Sequence, residues 1–316
     1  MNYRNIRELN NIILNKLSIM PRDFDLIVGV PRSGMLPANL LSLYLNKPYT
    51  DIDSFLNGHI YKAGARSQFF DGDGFKKILV VDDSIASGSA MTECKERLKH
   101  LESKFDIKYC AIYIIPGKEK MVDYHFEVVP LPRYFQWNIL NHTSLEKACF
   151  DIDGVLCPDP LPEQNDDGEK YIDFILNAPP LFIPGAKIGT IVTSRLEKYR
   201  KETETWLKAN NIKYNDLVML DLPDMKARQK ANNHGEHKAK AYMSKPYVLF
   251  VESEPAQAIE INRLSKKPVL CTENFEMIYD SESFMYNLKS GKHFPFLREY
   301  ALKARNKLRQ LKKVAD

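Results

Sequence analysis

The sequence lacks paired cysteines. Its five, Cys94, Cys110, Cys149, Cys157 and Cys271, form no CxxC motif and no zinc-ligand spacing, and their odd number fits no complete disulfide framework. A reducing cytosol is therefore the expected setting. No apolar run approaches the roughly 18 residues of a membrane span. The first twenty residues, MNYRNIRELNNIILNKLSIM, read as an amphipathic helix without the apolar core of a secretion signal. A dominant charge is missing as well. A formal net charge of +4 makes no case for nucleic acid as a partner.

What is present is enough apolar material for more than one core. Hydrophobic residues make up 44% and aromatics 11% of 316 residues, which predicts a globular chain of two domains. Strand-like and helix-like stretches alternate in both halves, the order that builds parallel sheets. The expected fold is α/β, with two doubly wound domains at residues 1–145 and 146–316.

In the first half, DLIVGVPRSGMLPANLL (25–41) and KKILVVDDSIASGSAMTECKERLKHLE (76–102) each read as strand, turn, helix. Met91, Cys94, Leu98 and Leu101 share one helical face. Ligands of such sheets bind beyond the carboxyl ends of the strands. There, residues Ser84 to Ser89 would wrap an anion with backbone N–H groups, hydroxyls and a helix N-terminus. Gly88 would let the backbone come close. Asp82 and Asp83 would repel a phosphate, so they suit neutral hydroxyls beside it, or a water-bound metal. Vicinal hydroxyls and a phosphate on one small molecule describe a pentose phosphate.

VVDDSIASGSAM (80–91) resembles the motif with which type I phosphoribosyltransferases bind 5-phosphoribosyl 1-diphosphate (PRPP). The resemblance implies that Asp82 and Asp83 meet the ribose hydroxyls and that Ala86, Ser87, Gly88 and Ser89 cradle the 5-phosphate. GVPRSGMLPA (29–38) resembles the upstream diphosphate loop, which assigns Arg32, Ser33 and Gly34 to the diphosphate, with Mg²⁺ bridging it. Lys62 and Arg66 lie where the family has its catalytic loop, in a polar stretch where solvated cations are equally ordinary. LPRYFQWNILNH (131–142) lies where the family covers its acceptor. Tyr134, Phe135, Trp137 and His142 are acceptor-side candidates, with aromatic packing at a domain junction the plainer alternative. Hypoxanthine-type members carry an acid where this chain has Ala86, so a general base must come from elsewhere.

The second half repeats the strand-to-acid design in KACFDIDGVLCPDP (147–160). Asp151 and Asp153, two apart at a strand end, leave on one side, and Gly154 turns the chain away. Such a pair can bind Mg²⁺ while one attacks phosphorus and the other handles the leaving-group proton. Three further pieces follow in order: GTIVTSR (189–195), HGEHKAKAY (234–242) and YVLFVESEPAQAIEI (247–261). Together these resemble the four motifs of haloacid dehalogenase (HAD) superfamily phosphatases. The resemblance implies Asp151 as nucleophile, Asp153 as acid/base, Thr193 and Ser194 as phosphate binders, Lys238 as the motif lysine and Glu252 as a metal ligand. Lys240 competes with Lys238, and Glu254 with Glu252. The short gaps between motifs predict little or no cap, an open site that suits a phosphate on a bulky molecule.

Transfer of phosphoribose followed by removal of its phosphate is the reaction sequence these resemblances imply. Fused chains of this kind resemble bacterial polysaccharide ribofuranosyltransferase–phosphatases, which implies a glycan acceptor, lipid-linked, with nucleobase salvage coupled to a nucleotidase as the rival. The basic stretch LREYALKARNKLRQLKK (297–313) would suit an anionic membrane or acidic glycan, or pack on its own domain.

Overall fold

A computed structural model describes residues 1–61 and 74–282. Lys62, Arg66 and the basic stretch 297–313 lie outside the described residues.

The first strand, β1 (Asn2–Arg4), is followed by α1 (Ile6–Lys16). The N-terminal stretch is thus not all helix. Asn5 stops the strand and starts the helix through a reciprocal cap: its side chain accepts from the Glu8 N–H at 2.8 Å, and Glu8 accepts from the Asn5 N–H at 2.9 Å. Leu9 and Ile13 of α1 are fully buried. Then come β2 (Leu26–Gly29), α2 (Met35–Leu45), β3 (Tyr49–Asp51), α3 (Ile52–Leu56), β4 (Lys77–Ile85), α4 (Ser89–Leu98), β5 (Asp106–Ile114), β6 (Tyr124–Val128) and β7 (Arg133–Phe135). Five strands form a parallel sheet in the order β3-β2-β4-β5-β6, while β7 pairs in parallel with β1. The strand order reverses between β2 and β4, so their carboxyl ends diverge into helices on opposite faces and open a crevice there.

The second compact unit begins at Leu140, a few residues before the expected boundary at 145/146. The reason is local: the Leu140 carbonyl accepts the Gly185 N–H at 3.0 Å, and Leu145 is buried. Its elements are β8 (Ala148–Phe150), α5 (Glu169–Asn177), β9 (Ile188–Leu196), α6 (Arg200–Ala209), β10 (Tyr214–Leu220), α7 (Met225–Ala231), α8 (His234–Met243), β11 (Leu249–Glu252), α9 (Pro255–Ser265), β12 (Val269–Cys271) and β13 (Glu276–Ile278). The sheet order is β10-β9-β8-β11-β12-β13, parallel except for β13. Here the order reverses between β8 and β11. Between β8 and β9 the chain inserts one α-helix, α5, and a short 3-10 turn.

Both sheets are buried on two faces, and their strands read as continuous apolar runs: Ile78 to Val81 and Ile112 to Ile114 are wholly inaccessible, as are Cys149, Phe150 and Phe250. All five cysteines are buried and unpaired. Among the described residues no helix is long and apolar enough to cross a membrane.

Candidate functional sites

In the first unit the crevice is built by the loop after β2 and the end of β4. β4 runs on through Asp82, Asp83 and Ser84 to Ile85, because β5 keeps pairing with it there (Ser84 with Tyr113, Ile85 with Ile114). The expected Ser84–Ser89 loop is therefore shorter, Ala86 to Gly88, and α4 starts at Ser89. Gly88 caps that helix with φ +92, a conformation open to glycine and strained for other residues. The Ser87 and Ser89 hydroxyls are 3.0 Å apart and exposed, and the Ser87 carbonyl accepts from Lys118 Nζ at 3.1 Å. Hydroxyls, a helix N-terminus and a lysine thus meet at one loop.

Gly34 brings the β2 loop against the β4 end. A Cβ there would lie 2.6 Å from the Val30 carbonyl oxygen and 2.8 Å from that of Val81, both backbone atoms. The adjacent Pro31–Arg32 peptide is cis. Ser33 donates to Asp83 Oδ1 at 2.8 Å, and Arg32 Nη2 donates to Asn138 Oδ1 at 2.9 Å. The expected PRPP-binding residues therefore lie at one end of one sheet: Arg32, Ser33 and Gly34 in the loop after β2, Asp82 and Asp83 at the end of β4, and Ala86 to Ser89 from there to the start of α4.

Asp82 and Asp83 are both buried. Burial first, then the neighbouring Asp83 charge, pushes Asp82 up to about 8. The nearby Arg133 guanidinium is buried too, with Nη1 lacking a hydrogen-bond partner, and burial draws its pKa down against the pull of Asp83 and Asp82.

The acceptor-side candidates separate. Tyr134 and Phe135 are buried, with Phe135 inside the core packed against α1 and α2. His142 falls in the second unit, where its Nδ1 accepts from the Ser144 N–H at 3.1 Å and caps a 3-10 turn. Trp137 reaches the site: its indole N–H donates to Asp83 Oδ2 at 2.6 Å. No local signal in the sequence announces that contact.

In the second unit the site straddles the switch between β8 and β11. Asp151 follows β8, and its N–H bonds to the Val251 carbonyl at 3.0 Å, while Glu252 ends β11. Lys238, on α8 and 1% exposed, donates to Asp151 Oδ2 at 2.6 Å, Glu252 Oε2 at 2.6 Å and Gln257 Oε1 at 2.8 Å. The members of each competing pair stand in different places. Lys240 is exposed, and Glu254 caps α9 by accepting the Gln257 N–H. Burial works against the Lys238 ammonium, yet Asp151 and Glu252 hold its pKa above the ordinary value. Burial pushes Asp151 up while Lys238 opposes the shift.

Thr193 is buried on β9, and its Oγ1 accepts the Arg195 N–H at 3.2 Å. Ser194 Oγ lies 2.9 Å from His234 Nδ1. β9 continues to Leu196, which makes Arg195 a strand residue, at the irregularity in the β9–β10 register. Its guanidinium is fully buried and grips Asp153, with Nη2 to Oδ1 at 2.6 Å and Nε to both oxygens at 3.1 Å. Arg195 belongs to the GTIVTSR stretch, but it is the contact with Asp153, distant in the chain, that brings it to the site.

Asp151, Asp153 and Glu252 have the hard oxygen donors magnesium takes. Asp153 faces Arg195, while Asp151 and Glu252 share Lys238. Among the described residues no group of three or more His, Cys, Asp or Glu is placed to hold a metal ion.

Residues 2–143 match the phosphoribosyl transferase domain family. Over 101 residues the chain is 31% identical to the transcriptional regulator GfcR of Methanocaldococcus jannaschii, a match covering 30% of this chain and 47% of that protein. It thus spans about half the length of this curated relative. Among solved structures, a xanthine-guanine-hypoxanthine phosphoribosyltransferase of Helicobacter pylori aligns at 16% identity and TM-score 0.35, over 44% of this chain and 93% of its own. A purine phosphoribosyltransferase of Pyrococcus horikoshii aligns at 25% and 0.31, over 43% and 92%.

Proposed function

We propose, from the phosphoribosyl transferase domain that the chain carries at its N-terminus, that the protein transfers 5-phosphoribose from PRPP to an acceptor and then removes the 5-phosphate. In the first step the bond from the anomeric carbon to diphosphate breaks as the acceptor oxygen or nitrogen bonds to that carbon from the opposite face, and the acceptor's proton passes to solvent. Asp82 and Asp83 hold the ribose hydroxyls and the Ala86–Ser89 loop holds the 5-phosphate. Arg32, Ser33 and Gly34 face the departing diphosphate, which magnesium accompanies as part of the substrate.

The observation that carries the second step is the Lys238 ammonium set between Asp151 and Glu252 at the sheet's switch point. An aspartate carboxylate beside a fixed cation is arranged to attack phosphorus and to have the transferred phosphoryl charge stabilised. Asp151 forms the aspartyl phosphate as the ribosyl 5-oxygen leaves with a proton from Asp153. Water, deprotonated by Asp153, then releases phosphate. Thr193 and Ser194 bind the phosphoryl oxygens. A metal ion bound at Asp151 and Glu252 would supply Lewis-acid polarisation. Asp151 and Glu252 could hold one only by sharing their charge with Lys238.

A glycan hydroxyl is the acceptor this reading favours, supported by the single-helix insertion between β8 and β9, which adds no domain over Asp151. The test is to incubate the protein and its Asp151→Asn variant with PRPP, Mg²⁺ and either lipid-linked oligosaccharides or nucleobases, and to weigh the products. The variant is expected to accumulate an oligosaccharide carrying ribose plus one phosphate. Turnover of free nucleobases with inert oligosaccharides would transfer the assignment to salvage.

A further inference from the structure

Asp83 is 3% exposed, and each of its two oxygens is taken by a donor from a distant part of the chain. Ser33 comes from the loop after β2, and Trp137 from the segment after β7. An indole N–H can donate one hydrogen bond and accept none, so where it is spent is informative. Packing does not dictate the choice, because the ring is already held. Trp137 stacks on Phe135 with centroids 5.0 Å apart at 17°, and Phe135 stacks on the fully buried Tyr113 at 5.2 Å and 28°. This column anchors the indole in the core and aims its N–H at a carboxylate.

The neighbouring residue repeats the connection, for Asn138 accepts from Arg32. The two residues 137 and 138 thus engage both the ribose-side acid and the diphosphate-side arginine.

Resting on the PRPP reading above, we infer that Trp137 is a positioning residue for PRPP, which with Ser33 clamps Asp83 so that its remaining lone pairs face the ribose hydroxyls. A carboxylate has about four acceptor positions. Two are filled by fixed donors, one per oxygen, and the plane of the group is thereby set. What remains is shared between the adjacent Asp82 carboxyl and a vicinal diol. A free aspartate would pay rotamer entropy on binding, and the clamp removes that cost beforehand.

The experiment is calorimetric titration of PRPP with Mg²⁺ into the full chain and into Trp137→Phe, which keeps the stacked ring and deletes the N–H. Ser33→Ala and Ser33→Thr serve as the second pair. Trp137→Phe and Ser33→Ala are each expected to weaken PRPP binding about tenfold, the scale of one hydrogen bond to a charged group. Ser33→Thr, which keeps the hydroxyl, is expected to restore most of it. Melting temperatures of the four proteins should agree within about two degrees. The chain has two tryptophans, and the other, Trp206, is buried and donates to the Ala178 carbonyl. In Trp206→Phe the emission is therefore that of Trp137, and PRPP should shift it. Parental affinity in Trp137→Phe, or a silent Trp137 while calorimetry records binding, would overturn the inference. If PRPP does not bind the parent chain at all, the PRPP reading itself fails.

Discussion

Arg195 holds Asp153 by both carboxylate oxygens, from a guanidinium that is wholly inaccessible while Asp153 keeps 19% of its side-chain surface. One group is locked in the core, and the other is presented at the site's edge. Arg195→Ala would leave Asp153 without its partner, and breaking a buried pair costs about 3–5 kcal/mol. Arg195→Lys keeps the charge and loses the two-pronged grip. It should lose less stability than the alanine variant and still lose most hydrolysis of ribose 5-phosphate. Thermal unfolding beside phosphate release separates the two effects; a lysine variant with full phosphatase activity would show that the grip on Asp153 is structural only.

Asp82 supplies a pH prediction. Its pKa is raised to about 8 by burial and by Asp83, above an unfolded value of about 3.9. Its contribution to stability is therefore complete below about pH 4 and is lost as the pH climbs through 8. Asp82→Asn should stabilise the first unit at pH 8.5 by about 1–2 kcal/mol and change little at pH 5. The same variant should lose PRPP binding. Melting curves at the two pH values check the sign, and an equal shift at both would contradict it.

The two acidic strand ends were legible because each motif is local: apolar strand, carboxylates, turn, helix. Asp82, Asp83, Asp151 and Glu252 all stand where that order places them. Contacts between segments far apart in the chain were not legible. Trp137 meets Asp83 only because β7 and β1 pair and carry the 133–138 segment back over the sheet. Tyr134 and Phe135 look equally exposed to a ligand in sequence, yet both are buried on β7, with Phe135 in the core. The end of β4 was misplaced for a related reason: its length is set by β5 beside it, and nothing in Ser84 or Ile85 says so.

Gly34→Ala tests the close approach of the two loops. The added methyl would press on two carbonyl oxygens at 2.6 and 2.8 Å, and neither can swing aside as a side chain could. Overpacking of this kind costs about 1–3 kcal/mol. The expected result is a lower melting temperature for the first unit and lost PRPP binding, while the melting of the second unit is unchanged. Undiminished PRPP affinity would show that the loop has room to retreat.

Lys238→Met gives the sharpest test of the second site, because the lysine is a buried cation between two buried carboxylates. Methionine nearly matches its volume, so the change is chiefly one of charge. Without the ammonium, Asp151 and Glu252 face each other with nothing to offset them, and the loss should reach about 3–5 kcal/mol at neutral pH. The pKa of Asp151, already pushed up by burial, would rise further once Lys238 no longer opposes it. A raised carboxyl pKa gives stability that is present in acid and lost as pH rises. The variant should therefore recover towards the parent at pH 5, and adding Asp151→Asn should recover part of the loss at pH 7.5 by removing one of the two charges. Urea unfolding of the single and double variants at both pH values measures this directly. If the deficit of Lys238→Met is independent of pH, packing rather than charge holds the triad together.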